Sequence, residues 1–144
     1  MSQSYNQIWI HAIWTTKERE PLIETGIEFQ IYEYMQQQYT DFGCPVRIIN
    51  GIPDHVHSLF LLNPKKPVMD VFKQVKGATS HWVNENKLIA EKFYWQSGYA
   101  AYSISESHVE KVFQYIKNQK IHHQYQTTTE ELEVLNNRQG LVPG

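Results

Sequence analysis

Cysteine is almost missing from this chain. Cys44 is the only one in 144 residues, which excludes an intrachain disulfide and a cysteine-based zinc site within one chain. A reducing, cytoplasmic setting is the matching expectation. Long apolar runs are missing too. Stretches such as Val56 to Leu62 are broken by His57 and Ser58 and fall far short of the ~20 residues that span a bilayer, so no membrane segment is expected. The opening Met1-Ser2-Gln3-Ser4-Tyr5-Asn6-Gln7 has neither the basic start nor the apolar middle of a secretory signal. Nor is there a basic excess. Thirteen Lys and Arg against 15 Asp and Glu leave a formal charge of -2, which argues against a protein that coats nucleic acid through charge alone.

Aromatic residues, by contrast, are plentiful. They make up 13% of the chain, with nine Tyr and four Trp, and aromatic faces can stack unpaired bases without net charge as readily as they fill a core. The hydrophobic share of 41% suits one ordinary core, so a single domain over residues 1–144 is expected.

Periodicity along the chain alternates between strand and helix. Gln7 to Thr15 reads as a strand buried on both faces. From Thr25 or Gly26 to Tyr39 the apolar residues recur at helical spacing, and Gly43 is a stop signal. Cys44 to Asn50 and His55 to Leu62 read as paired strands, with Asn50-Gly51 and Pro53-Asp54 supplying turn chemistry between them. Past Asn63-Pro64-Lys65-Lys66-Pro67 the spacing of Val68, Val71, Phe72, Val75, Thr79 and Trp82 predicts a helix ending near Asn84 to Asn86. A fourth strand is expected over Tyr99 to Ile104. A helix capped by Ser105 or Ser107 then runs to about His122, with Val109, Val112, Phe113 and Ile116 as its apolar stripe. Thr128 with Glu131 three residues on matches a capping box that opens a short last helix. This order is the split βαβ arrangement of ferredoxin-like folds: an α+β, βαββαβ antiparallel sheet with helices on one face, plus the extra C-terminal helix that bears Tyr115. The other sheet face needs that helix or a partner subunit as cover.

Two groups of residues can carry chemistry. In Pro53-Asp54-His55-Val56-His57, strand alternation projects His55 and His57 from one side at a separation that one metal ion can bridge. A structural or surface role is open to such a pair until a third ligand is found. In the later helix, Lys111, Tyr115 and Gln119 share one face at i, i+4, i+8, a pattern that a merely solvated face would also show. Joined, the two groups define a chemistry. A metal held by two imidazoles and an amide oxygen can polarise a phosphoryl oxygen while a tyrosine hydroxyl attacks phosphorus. Asp54 is the one carboxylate obvious nearby.

Gly51-Ile52-Pro53-Asp54-His55-Val56-His57, Tyr94-Trp95-Gln96-Ser97-Gly98-Tyr99 and Tyr115-Ile116-Lys117-Asn118-Gln119 with His122-His123 occur in that order. In this the chain resembles the IS200/IS605-type single-tyrosine transposases from about Gln7 to Glu131. The resemblance implies Tyr115 as nucleophile and His55, His57 and Gln119 as ligands of Mg²⁺ or Mn²⁺. It further implies a homodimer whose tyrosine helix completes the partner's site, acting on single-stranded DNA with hairpin ends to leave a 5′-phosphotyrosine and a free 3′-OH. Lys73, Lys76, Lys111, Lys117 and Lys120 are candidate phosphate contacts. The departure from the pattern lies at the end, which finishes Leu141-Val142-Pro143-Gly144 without a basic tail.

Three rival readings are open to the same residues. A non-catalytic nucleic-acid-binding module of the same topology would have no need for the paired histidines, Tyr115 and Gln119. A cupin-like metal site wants a nearby downstream Glu, and none occurs between Ser58 and Asp70. A domesticated relative that keeps the fold and binds DNA would carry the same residues. His11, His81, His108, His122 and His123 read as surface or core residues.

Overall fold

The protein is described here by a computed structural model covering residues 3–124 and 126–139, with the backbone alone described for 137–139. The ending Leu141-Val142-Pro143-Gly144 and the first two residues lie outside the described residues.

Four strands form one antiparallel sheet in the order β2-β3-β1-β4: β1 (Trp9–Thr15), β2 (Val46–Ile52), β3 (His55–Leu61) and β4 (Ala100–Ile104). Two helices, α1 (Glu28–Asp41) and α2 (Val68–Glu85), pack together. With the sheet they enclose the main core, so the chain has the expected α+β, βαββαβ ferredoxin-like architecture. Alternation along β1 and β3 divides the two faces. Ile10, Ala12, Trp14, Val56 and Phe60 join Ile31, Met35, Val71, Phe72 and Val75 in the core beneath the helices, each buried Ile, Val, Phe or Met side chain stabilising by about 1.5–3 kcal/mol. Ser58 falls on the same face, where its hydroxyl lies 2.6 Å from that of Tyr39, so neither buried polar atom is left without a partner. Gly43 ends α1 with φ 76°, a left-handed conformation that lets Cys44 N–H donate to the Tyr39 carbonyl at 2.9 Å.

The intervening residues of the same strands face the other way. There α3 (Val109–Lys117), α4 (Gln119–His122) and α5 (Thr128–Gln139) follow β4. Leu59 packs with Val109 and Ile116 in a second, smaller core, so a helix of the same chain covers the second sheet face.

Three local expectations are corrected. First, Asn50-Gly51 is not a turn: β2 runs through to Ile52, and only Pro53 and Asp54 turn. Glycine is required at 51 because a Cβ there would stand 2.2 Å from the His55 carbonyl oxygen. Second, the helix after β4 does not run unbroken to His122. It stops at Asn118 (φ -95°, ψ 17°) and restarts as α4, because the Asn50 side-chain amide takes up the last carbonyls of α3, donating to Ile116 at 3.0 Å and Lys117 at 3.2 Å. Third, the cap of α5 sits one residue earlier than expected. Thr127 Oγ1 accepts from the Glu130 N–H at 3.1 Å and donates to the Glu130 carboxylate at 3.0 Å. That leaves Thr128 and Glu131 for other partners.

Candidate active site

His55 and His57 project from β3 onto the face covered by α3, α4 and α5. Both are fully buried, and their ring centres are 5.0 Å apart. The turn that starts β3 supplies a partner for the first. Nδ1 of His55 lies 2.7 Å from Oδ1 of Asp54; a carboxylate can only accept, so Nδ1 carries the proton and Nε2 is turned toward the site. The Thr128 hydroxyl from α5 lies 2.9 and 3.1 Å from the two Asp54 oxygens and shares its one proton between them. Burial pushes the Asp54 carboxyl up, yet the His55 contact outweighs it and the group sits below its usual range. His57 is braced from the neighbouring strand: its Nδ1 lies 2.8 Å from Nε2 of His11 on β1.

Tyr115 and Gln119 reach the same space from α3 and α4. Oε1 of Gln119, itself fully buried, is 3.2 Å from Nε2 of His55. The Tyr115 ring centre lies 5.8 Å from that of His57 and 5.1 Å from that of His122. The break at Asn118 therefore keeps both residues on the sheet face, although the helix on which their spacing was read is not continuous.

Glu131 of α5 completes the cluster. Its Oε1 is 3.0 Å from Nε2 of His55, 3.2 Å from Nε2 of His57 and 3.0 Å from Nε2 of His123. Its Oε2 accepts from Nε2 of Gln119 at 2.8 Å and from the Tyr115 hydroxyl. Sequence reasoning missed this residue by assigning it to a helix cap. One signal was available: Thr128, Glu131, Leu132 and Leu135 fall at i, i+3, i+4, i+7, so the carboxylate lies on the stripe that a surface helix buries. His11 and His123, read as surface or core residues, both touch the site. His11 lies diagonally across the β1–β3 ladder from His57, since Ile13 pairs with His57 and His11 with Leu59.

The cluster is strongly polarised. Burial pushes the Glu131 carboxyl up, but hydrogen bonds with His55 and His57 prevail and hold it well below the carboxylate range. Burial would lower His55; its bonds to Asp54 and Glu131 reverse that and raise it to about 9. His57 is lowered to about 4, first by burial and then by the charge of His55 and His123, with Glu131 opposing. His11 is lowered well below its usual value by burial and by His57.

This donor set fits a divalent cation. Nδ1 of His55 is committed to Asp54, so Nε2 faces two acceptor oxygens, Oε1 of Gln119 and Oε1 of Glu131. One N–H shared between two oxygens satisfies neither fully, whereas a cation would draw all three lone pairs together. His55, His57 and Glu131 each offer a ligand atom within 4.8 Å of the others, and a mixed nitrogen and oxygen set suits a metal of intermediate hardness.

The candidate lysines do not share one surface. Lys111 lines the groove of about 740 Å³ beside Tyr115, together with Gln114, Asn118 and His122. Lys117 is exposed near the end of α3. Lys73 and Lys76 lie on α2, across the sheet from the site, and Lys76 donates to the carbonyls of Gln96 at 3.0 Å and Gly98 at 2.8 Å. Lys120 is held by Oδ1 of Asn50 at 2.8 Å and Glu28 at 3.2 Å.

Residues 4–119 match the family described as transposase IS200 like. The ISDra2 transposase TnpA of Deinococcus radiodurans is 26% identical over 119 residues, covering 78% of this chain and 84% of that protein. Among solved structures, a crystal structure of a transposase from Deinococcus radiodurans R1 superposes with a TM-score of 0.65 at 23% identity, covering 83% of this chain and 96% of the other. A REP-associated tyrosine transposase bound to a REP hairpin superposes with a TM-score of 0.61 at 14% identity, covering 85% and 74%. Among the described residues, no helix is long and apolar enough to cross a membrane.

Proposed function

The chain belongs to the IS200-like transposase family, a family of metal-dependent DNA-processing enzymes, and from that premise we propose that it cuts and rejoins single-stranded DNA at hairpin-containing element ends with Tyr115 as nucleophile. The observation that carries the reading is convergence. Tyr115, Gln119, His55 and His57, from two helices and a strand, meet in one cluster, three of them buried and Tyr115 half-buried at its edge. On this reading His55, His57 and Gln119 hold Mg²⁺ or Mn²⁺, which when bound polarises a phosphoryl oxygen of the scissile phosphate.

The protein's own residues do the rest. The Tyr115 oxygen forms a bond to phosphorus as the bond from phosphorus to the 3′ oxygen breaks. The tyrosine proton ends, directly or by relay, on the departing 3′ oxygen. The products are a 5′-phosphotyrosine and a free 3′-OH. Rejoining reverses these changes with another 3′-OH and needs no nucleotide cofactor, because the bond is conserved in the protein link. Asp54 holds His55 in the ligating tautomer from its place at the turn. The groove between Lys111, Gln114 and His122 opens beside Tyr115 and is the place for the strand, and the hairpin-bound structural relative supports a hairpin as the recognised end. Lys117 is a further phosphate contact on this reading; Lys73, across the sheet on α2, could meet only DNA that extends beyond the cleavage site, and Lys76, already bonded to two carbonyls, contributes less.

The test is incubation of labelled single-stranded DNA, carrying hairpins from the protein's own genomic flanks, with Mn²⁺ or EDTA. A covalent protein–DNA band is expected with Mn²⁺ only and is expected to vanish in Tyr115→Phe. Binding without covalent product across hairpins and metals would instead support a DNA-binding role, and a band that persists in Tyr115→Phe would exclude that nucleophile. The homodimer implied by the family resemblance is tested by mixing Tyr115→Phe with His57→Ala: recovered cleavage means that helix and metal site are exchanged between subunits, and no recovery means that one chain supplies both.

A further inference from the structure

We infer that Glu131 is a metal ligand through Oε1 and the residue that orients the Tyr115 hydroxyl through Oε2, an inference that rests on the metal-dependent reading above. Glu131 lies beyond the residues that match the family, which end at Gln119. The inference accordingly rests on the contacts that α5 makes in this chain.

Three observations carry it. Glu131 is 1% exposed, and a buried carboxylate is costly unless charge or hydrogen bonds compensate it. The usual structural reason for a Glu in the first turn does not apply, because Thr127 and Glu130 already cap α5. Finally, its two oxygens divide their partners by chemistry. Oε1 lies within 3.2 Å of the imidazole nitrogens of His55, His57 and His123, while the hydrogen bonds to Oε2 come from Tyr115 and Gln119, with Nε2 of His122 farther off at 3.8 Å. One carboxylate thus ties the ligand nitrogens to the nucleophile, and α5 is held over the site by Thr128 on Asp54 and by the Tyr102 hydroxyl, which donates to Asn136 at 2.6 Å.

The competing explanation is a stopper. A carboxylate is an anion, as the scissile phosphate is, and one that merely filled the phosphate's place would slow the reaction. The two explanations differ in sign. Mn²⁺ affinity of the full chain is measured by electron paramagnetic resonance without DNA for the parent protein, Glu131→Ala, Glu131→Gln, Glu131→Asp and His57→Ala; cleavage of the hairpin strand is followed at saturating Mn²⁺.

Loss of an outer partner of a ligand typically costs 10–100-fold in metal affinity, so loss of a ligand should cost at least roughly tenfold in Glu131→Ala, with Glu131→Asp recovering part of it. Glu131→Gln, nearly isosteric and able to keep the fold, should also bind Mn²⁺ more weakly. At saturating Mn²⁺ it should lower kcat with little change in the KM for DNA, since the misplaced hydroxyl affects the chemical step. Unchanged or tighter Mn²⁺ binding in both Glu131→Ala and Glu131→Gln, with faster cleavage, would overturn the inference in favour of the stopper. Unchanged binding in His57→Ala as well would instead bring down the metal-site reading itself.

Discussion

Nε2 of His11 on β1 stands 2.8 Å from Nδ1 of His57 on β3, with the two rings stacked at a centre distance of 5.1 Å. A histidine that binds metal through Nε2 must carry its proton on Nδ1, and that proton needs an acceptor. His11 is the acceptor that the sheet provides.

His11→Ala should therefore weaken Mn²⁺ binding by about 10–100-fold while Tyr115 and the metal ligands themselves stay unaltered. Asn at this position can accept the same bond and should restore part of the affinity. Titration with Mn²⁺ checks both variants. Equal affinity in parent and His11→Ala would show that His57 does not depend on this bond.

The metal-free protein should lose stability as pH rises. His55 is raised to about 9 from an ordinary 6.5, burial being outweighed by Asp54 and Glu131. A raised histidine contributes stability that is complete below about 6.5 and is lost as pH climbs through 9. Mn²⁺ displaces the Nε2 proton, so metal affinity should strengthen over the same interval. Thermal melts in EDTA and in Mn²⁺ between pH 6 and about 9.5 should diverge progressively; parallel curves would contradict the assignment. At the acid end His57, lowered to about 4, works with the opposite sign. Its contribution is lost as pH falls from 6.5 through 4.

Gly51→Ala should be destabilising by about 1–3 kcal/mol or more. The added methyl would stand 2.2 Å from the His55 carbonyl oxygen and 2.9 Å from Cα of Val56, both backbone atoms that cannot swing aside. The β2–β3 pairing must open at the end where His55 sits. A urea midpoint shift, together with weaker Mn²⁺ binding, is the expected pair of effects; a neutral midpoint would mean that the strands separate at no cost.

Asn50→Ala should loosen the helix that carries Tyr115. Its amide is the donor that satisfies the Ile116 and Lys117 carbonyls, and its Oδ1 accepts from Lys120. The loss is expected at about 1 kcal/mol, roughly 2–4 °C in Tm for a chain of this size. Hydrogen exchange should rise in α3 and α4 while α1 and α2 keep their protection. Uniform change across all helices would argue that the bond stabilises the whole fold and not this junction.

Local sequence determined the strands, the two core helices and the facing of His55 and His57, because each depends on a period of two or 3.6 residues written within a short segment. It also carried Tyr115 and Gln119, whose spacing is local to one turn. The Asn118 break was hidden, since its cause is a side chain of β2, 66 residues away from the carbonyl it meets. Glu131 was hidden for the same reason: as a string, Thr128 and Glu131 satisfy a capping rule, and only the approach of α5 to β3 gives them Asp54, His55 and His57 as partners. His11 acquires its role from strand register, which pairing across the sheet decides and no single strand encodes. What the chain determines by itself is which residues can face the site; what tertiary structure decides is which lone pairs and protons meet there, because those contacts join segments that are distant in sequence.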